Sequence, residues 1–194
     1  MFFILLVICY FLGSIPFGFI IAKMWGVDVR TRGSGNIGAT NVLRTVGAFP
    51  GALALILDVL KGTGAVLLAK LFFGDPALII LCGLAAVLGH SFSIFLKFKG
   101  GKSVATGIGI LLGIAPEIFL FTVLIFIISL LLCRYVSVSS ITASIIAAVS
   151  FFILGKPVAY SVVVSLIAAL IILRHIPNVK RVIAGNEPKI GEKK

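Results

Sequence analysis

Seven apolar runs follow one another along the chain: Phe2–Ala22, Phe49–Ala69, Ala77–Leu96, Val104–Ile114, Ile118–Cys133, Val136–Leu154 and Pro157–Leu173. A helix needs roughly 20 apolar residues to cross a bilayer's hydrocarbon core, so most of these runs qualify and the fourth is short. Breakers separate them at Gly74-Asp75-Pro76, Pro116-Glu117, Arg134 and Gly155-Lys156-Pro157. The pattern predicts an all-α membrane protein, one integral-membrane domain over residues 1–194. No basic residue precedes the first run and Lys23 follows it, the reverse of a secretory signal. The first run is therefore expected to stay as a span, with the N-terminus outside.

The basic residues decide whether the short fourth run crosses. If all seven runs cross, Lys23, Arg30, Arg32, Arg44, Lys97, Lys99, Lys102, Arg134 and every basic residue from Arg174 onward share one side. Only Lys70 and Lys156 face the other, and Lys61 lies within a span. If the fourth run dips in and returns, the basic residues divide evenly. The positive-inside rule thus selects seven crossings with a cytoplasmic C-terminus. The fourth helix, about 16 Å long at the usual rise, then needs local thinning or loop residues to complete it. The same topology brings three polar segments, Thr31–Arg44, Lys97–Thr106 and Arg174–Glu187, to the cytoplasmic face.

Composition sharpens this reading. Of 194 residues, 60% are hydrophobic and only 12% charged, about half the charge of a soluble domain. That excludes a disordered chain and a solvated globule with one ordinary core. The net charge of +11, from 17 Lys and Arg against 6 Asp and Glu, reads as topology and attraction to anionic lipid, so no nucleic-acid partner is expected. Its concentration beside polar motifs brings anionic ligands into play. Cys9, Cys82 and Cys133 all lie in apolar stretches without CxxC spacing, which predicts buried thiols, no disulfide frame and no zinc site.

The first polar segment contains Gly33, Gly35 and Gly38, formally GxGxxG, with Asp58 twenty positions beyond. A dinucleotide site would need a strand before the glycines, and a membrane helix stands there instead. What remains is a backbone free to curl its N–H groups together, with Ser34, Asn36, Thr40 and Asn41 as neutral donors. Arg44 lies one helical turn after Thr40. The bland alternative is a polar connector. In the second segment, Gly101-Lys102-Ser103 suggests a nucleotide loop, but Leu96 stands where that motif requires glycine. The segment still has anion-site physics: Gly100 and Gly101 precede Lys102, Ser103 can cap a helix starting at Val104, and Lys99 adds charge. Its alternative is a positive-inside loop without a ligand. In the third, His175, Asn178 and Arg181 recur every three residues, so a helix sets them near one side. His175 fits a general base, a phosphate ligand or an interfacial residue equally. Lys189, Lys193 and Lys194 read as a solvated tail.

Deeper in the chain, Asp58 and Lys61 stand one turn apart within a span and are expected to neutralise each other. His90 lies near the second segment. Ser137, Ser139, Ser140 and Thr142 read as helix-packing hydroxyls. Ser14 and Pro16 should kink the first span.

Four motifs in this order, GSIPFG from Gly13, GSGNIGATNVLR from Gly33, GHSFSIFLKFKGGKSVAT from Gly89 and HIPNVKRVIAGNE from His175, resemble the bacterial PlsY family over essentially the full length. These are acyl-phosphate:glycerol-3-phosphate acyltransferases. The resemblance implies transfer of a fatty acyl group from a long-chain acyl phosphate to the sn-1 hydroxyl of glycerol 3-phosphate. The products are lysophosphatidic acid and phosphate, as the first step of bacterial phospholipid synthesis at the inner (cell) membrane. It implies neither acyl-CoA nor acyl carrier protein as donor. Consistently, no His-x-x-x-x-Asp pair is present: Phe95 follows His90, and Lys180 follows His175, where the Asp would stand.

By the same resemblance Ser34, Arg44, His175 and Asn178 are the catalytic set. Asn36, Thr40 and Asn41 line a substrate cavity. Gly100, Gly101, Lys102 and Ser103 form a phosphate loop for glycerol 3-phosphate, with Lys99, Thr106 and His90 as substrate-binding neighbours. Arg181 completes phosphate neutralisation, and Glu187 is a structural partner for a cation. No cofactor, metal or covalent nucleophile is expected, and the enzyme is expected to act as a monomer. Catalysis then comes from holding two anions side by side and stabilising the developing oxyanion. The proton goes to His175 or to a substrate phosphate. The leading rival is a small transporter of an anionic solute, which should carry its site at the midplane and show repeat symmetry. A lipid-binding scaffold would explain the tail but not the glycine-rich segments.

Overall fold

The structure, a computed structural model, describes residues 1–192 and is helical throughout its regular elements. Lys193 and Lys194, part of the expected tail, lie outside the described residues. The helices are α1 (Phe2–Ser14), α2 (Phe17–Met24), α3 (Ala39–Thr45), α4 (Ala48–Phe72), α5 (Pro76–Ser91), α6 (Val104–Ile114), α7 (Pro116–Cys133), α8 (Val136–Ile153) and α9 (Val158–Ile183), with a 3-10 turn at Ile94–Leu96.

Their boundaries follow from local chemistry. Pro16 has no N–H and separates α1 from α2, splitting the first apolar run as expected. Asp75 caps α5, its carboxylate accepting the Ala77 N–H at 2.7 Å with Pro76 in the first turn. Arg134 ends α7 in the left-handed region, and α8 starts two residues later.

Among the described residues, six segments are long and apolar enough to cross a membrane: Phe2–Met24, Ala48–Phe72, Pro76–Leu96, Pro116–Cys133, Val136–Ile153 and Val158–Ile183. The expectation of seven spans leaves α6, whose 11 residues coincide with the short fourth run. Large apolar side chains such as Phe3, Leu71, Leu132 and Ile183 lie outermost, as lipid-facing positions should.

The described residues pack as two compact units, Met1–Ile114 and Ala115 onward. In the first, helices approach through glycine. A Cβ on Gly13 would overlap the Ala86 carbonyl, joining α1 to α5; one on Gly62 would overlap the Thr106 carbonyl, joining α4 to α6. Lipid tails are as apolar as leucine, so close backbone packing replaces hydrophobic drive. The end of α6 is tied down by Lys70, whose Nζ donates to the Gly113 carbonyl at 2.6 Å. In the second unit α7 packs on α8 and α8 on α9. Cys9 and Cys82 are buried and Cys133 is partly so.

Candidate functional site

In the first unit, two of the three polar segments share a hydrophobic base. Ile37 and Val42 from the first, Val29 just before it and Leu96 just before the second bury into one cluster with Ile21 and Ala54. The first segment is wound around Asn41. Its Nδ2 donates to the carbonyls of Asn36 (2.8 Å), Val29 (2.9 Å) and Arg32 (3.1 Å), and its Oδ1 accepts the Ser34 N–H at 2.9 Å. Gly33, at φ +58°, passes so close that a Cβ would strike this same amide. The carboxamide of Asn41 is thus committed to shaping the loop, whereas the sequence suggested a substrate ligand. Ser34 is exposed, and Asn36, Thr40 and Arg44 are half-buried, the last two on α3 one turn apart.

Asp28, which the motif reading passed over, organises the preceding basic residues. Arg30 donates to it through Nε (3.0 Å) and Nη2 (2.7 Å), and Lys23 lies 3.7 Å away. The Arg30 hydrogen bond, aided by the two cations, holds the Asp28 carboxyl well below the usual carboxylate range. No sequence signal beyond the alternating charges marked it.

The second segment is strained and pinned. Lys97, Phe98 and Ser103 all adopt positive φ, at 52°, 61° and 61°, a conformation that residues with a side chain adopt uncommonly. The Gly100 and Gly101 N–H groups donate to the Ser91 and His90 carbonyls at 3.1 and 2.9 Å. Those two amides therefore do not point outward, as the glycine doublet suggested; they lace the loop to the end of α5. A Cβ on Gly100 would overlap the His90 carbonyl, and one on Gly101 the His90 Nε2. Close approach is why this loop needs glycine.

Ser103 likewise departs from the expected cap. It is buried, donates to the Val87 carbonyl at 2.9 Å and shares a 2.7 Å hydrogen bond with Ser91. The first backbone bond of α6 runs from Gly107 to Ser103 (2.8 Å). The N–H groups of Val104, Ala105 and Thr106 precede it and present the positive end of the helix. Lys99 is exposed, Lys102 half-buried, and Thr106 buried within the first turn.

Beneath the loop, Lys61 Nζ lies 2.8 Å from the Asp58 carboxylate, the pair expected from their spacing, and His90 Nδ1 lies 3.6 Å from the same oxygen. Lys61 also donates to the Ile15 carbonyl at 2.9 Å. Ser93 donates to the adjacent Ser14 carbonyl at 2.6 Å. The break in the first span thus exposes backbone acceptors that these side chains satisfy. Ser91 and Ser93 were missed because hydroxyls in a membrane motif carry no distinctive spacing.

In the second unit, α9 sets His175, Asn178 and Arg181 one turn apart, as their spacing predicts. The turn at Gly185 (φ +70°) sends the chain back, with the Asn186 and Glu187 N–H groups on the Arg181 carbonyl. Glu187 is then buried, accepting from Asn178 Nδ2 (2.7 Å), Arg181 Nε (2.8 Å) and Ser137 Oγ (3.1 Å). Burial pushes the Glu187 carboxyl upward, but these three donors together outweigh it and hold the group below its ordinary value. Ser137 is therefore more than helix packing, while Ser139 and Ser140 bond back to carbonyls one turn earlier. His175 is buried, its Nδ1 2.7 Å from the Ile171 carbonyl. A carbonyl only accepts, so Nδ1 carries the proton and Nε2 is the ring's basic nitrogen.

The tail is not wholly solvated either. Ile190 and Arg134 exchange backbone and guanidinium hydrogen bonds at 2.9 and 3.1 Å, and Lys189 Nζ lies 5.6 Å from the centre of the Tyr135 ring. Among the described residues, no three His, Cys, Asp or Glu side chains group to hold a metal ion.

Comparison with known proteins bears directly on this arrangement. The sequence profile of a family described as Glycerol-3-phosphate acyltransferase matches residues 3–185. The glycerol-3-phosphate acyltransferase of Aquifex aeolicus is 46% identical, over 94% of this chain and 96% of that one. Glycerol-3-phosphate acyltransferase 2 of Moorella thermoacetica is 44% identical, over 97% of each. Crystal structures of PlsY, an integral membrane glycerol 3-phosphate acyltransferase, superpose with TM-scores of 0.94 for its glycerol 3-phosphate form and 0.91 for its lysophosphatidic acid form. Both are 44% identical and cover 98% of this chain and 96% and 95% of theirs.

Proposed function

The chain belongs to the PlsY family of glycerol-3-phosphate acyltransferases, and on that premise we propose that it acylates the sn-1 hydroxyl of glycerol 3-phosphate from a long-chain acyl phosphate. The hydroxyl oxygen attacks the acyl carbon, an ester bond forms, and the bond from that carbon to the phosphate oxygen breaks. Inorganic phosphate leaves with the electron pair, so neither acyl-CoA nor acyl carrier protein is needed.

The observation that carries this reading is the strained, glycine-pinned loop ending at Lys102 and the positive end of α6. It offers a cation beside backbone donors, the complement of a phosphomonoester. Gly100, Gly101, Ser103 and Asn41 act by shape, setting where the donors of their loops lie. Thr106 lines the first turn of α6, while Lys99 and Lys102 supply charge. Ser34, Asn36, Thr40 and Arg44 orient substrate and stabilise charge developing on the acyl oxygen. His175 Nε2 is the protein group suited to take the hydroxyl proton, since its ring is held by Ile171. A substrate phosphate oxygen is the other acceptor. Asn178 and Arg181 are set by Glu187; Arg181, partly exposed, can also reach an anion.

We assign seven crossings to the chain, with α6 as the short one. The N-terminus lies outside, the phosphate loop faces the cytoplasm at the cell inner membrane, and one chain suffices for activity. The basic residues favour this arrangement.

The test is purified protein in detergent with palmitoyl phosphate and radiolabelled glycerol 3-phosphate, without CoA, carrier protein or metal. Lysophosphatidate is expected, and its absence overturns the proposal. Lys102→Ala should raise the KM for glycerol 3-phosphate by about tenfold or more, a lost charge-assisted contact being worth about 1.5–3 kcal/mol. An unchanged constant would move the loop to the acyl donor.

A further inference from the structure

A buried charge cluster lies behind the loop, in a place where chemistry on the substrates does not require it. Asp58 and Lys61 are each 2% exposed and His90 4%. All three are withdrawn from water, in a setting where an apolar trio of similar volume would be at least as stable, because desolvating charges costs more than pairing them returns. What the trio supplies instead is fixed geometry.

One oxygen of Asp58 meets both Lys61 Nζ and the His90 ring. The opposite ring nitrogen of His90 lies against the Cα of Gly101, and the His90 carbonyl accepts the Gly101 N–H. Lys61 extends the chain of contacts to the Ile15 carbonyl, at the break between α1 and α2. The ring of His90 is therefore a spacer, with a carboxylate behind it and the glycine loop in front.

Resting on the acyltransferase reading, we propose that Asp58, His90 and Lys61 are positioning residues for glycerol 3-phosphate. The carboxylate sets the His90 ring, the ring and its carbonyl set Gly101, and Gly101 sets Lys102 and the start of α6 around the phosphate. Lys61 anchors the carboxylate to the interrupted first span. None of the three touches substrate. His90 thereby moves from the expected substrate ligand to the support of one.

Two measurements on full-length protein test this. Asp58→Asn keeps the side-chain volume but removes the charge. It should raise the KM for glycerol 3-phosphate by about tenfold, within the range a misplacement of about 1 Å can cost, and should move the KM for palmitoyl phosphate much less. Equal rises in both constants, or no rise in either, would overturn the proposal. Should Asp58→Asn fail to fold, the paired replacement Asp58→Leu with Lys61→Met restores an uncharged, space-filling core. A purely structural role predicts that this pair recovers both thermal stability and KM. Positioning predicts recovered stability with the KM for glycerol 3-phosphate still raised.

The second measurement is independent of turnover: the thermal upshift that glycerol 3-phosphate or inorganic phosphate gives the detergent-solubilised protein. Wild type should shift and Asp58→Asn should need about tenfold more ligand for the same shift. If wild type forms no lysophosphatidate yet binds and the variant does not, the acyltransferase reading fails and the loop-positioning assignment survives. Equal shifts in both proteins sink the assignment alone.

Discussion

The glycine loop of the first unit and the returning turn of the second meet their immediate supports through different contacts. The loop at Gly100–Ser103 is fitted by backbone contact: its amides lie on carbonyls of α5, and there is no room for a methyl group. The turn at Gly185–Glu187 is fitted by charge: one carboxylate gathers an amide, a guanidinium and a hydroxyl. The first should be intolerant of added volume. The second should tolerate small changes of shape but not loss of its anion.

The largest expected effect follows from the first half of this contrast. Gly100→Ala forces a Cβ onto the His90 carbonyl, a backbone atom that cannot rotate away. Displacing the loop should lower kcat/KM by about a hundredfold or more, measured by lysophosphatidate formation. A near-normal rate would show that the loop yields where the contrast says it cannot.

Glu187→Ala should come next. It leaves the Asn178 amide and the Ser137 hydroxyl without their acceptor and removes the partner of Arg181, costing about 2 kcal/mol of stability. Thermal unfolding in detergent measures this, and Glu187→Gln should recover only part of it. Full stability in the alanine variant would make the carboxylate incidental.

Acidification sharpens the same point at smaller amplitude. Because the folded pKa of Glu187 is depressed, the folded protein holds fewer protons there than the unfolded chain does. Its contribution is complete above the ordinary carboxylate value of about 4 and is lost as pH falls from there through the folded pKa. Asp28 acts in the same direction. Unfolding temperatures should drop across that window, and Glu187→Gln should flatten the drop without abolishing it. The smallest effect expected is Lys189→Ala, which removes a partly exposed cation over the Tyr135 ring and should cost about 0.5 kcal/mol.

Much of this was legible in residue order alone. The Pro16 break, the α6 limits, the Asp58–Lys61 pairing and the facing of His175, Asn178 and Arg181 follow from proline chemistry, run length and helical spacing. The purposes of Gly100, Gly101, Asn41 and Ser103 did not follow. Glycines next to lysine suggest outward amides, and an asparagine or serine in a polar loop suggests a ligand, yet here each is turned inward. Which way a donor points depends on what packs behind it, and the Val87, Ser91 and His90 partners are set by the close meeting of α5 with the loop.

Local order along the chain determined the helical membrane character, the succession of apolar runs and the chemistry of the three polar segments, because each depends on neighbours within a turn or two. Tertiary structure alone decided which of those polar groups remain available and which are consumed as supports. Hydrogen-bonding capacity is finite, and in a nearly water-free interior each buried donor or acceptor must find its partner among groups that sequence separation does not reveal.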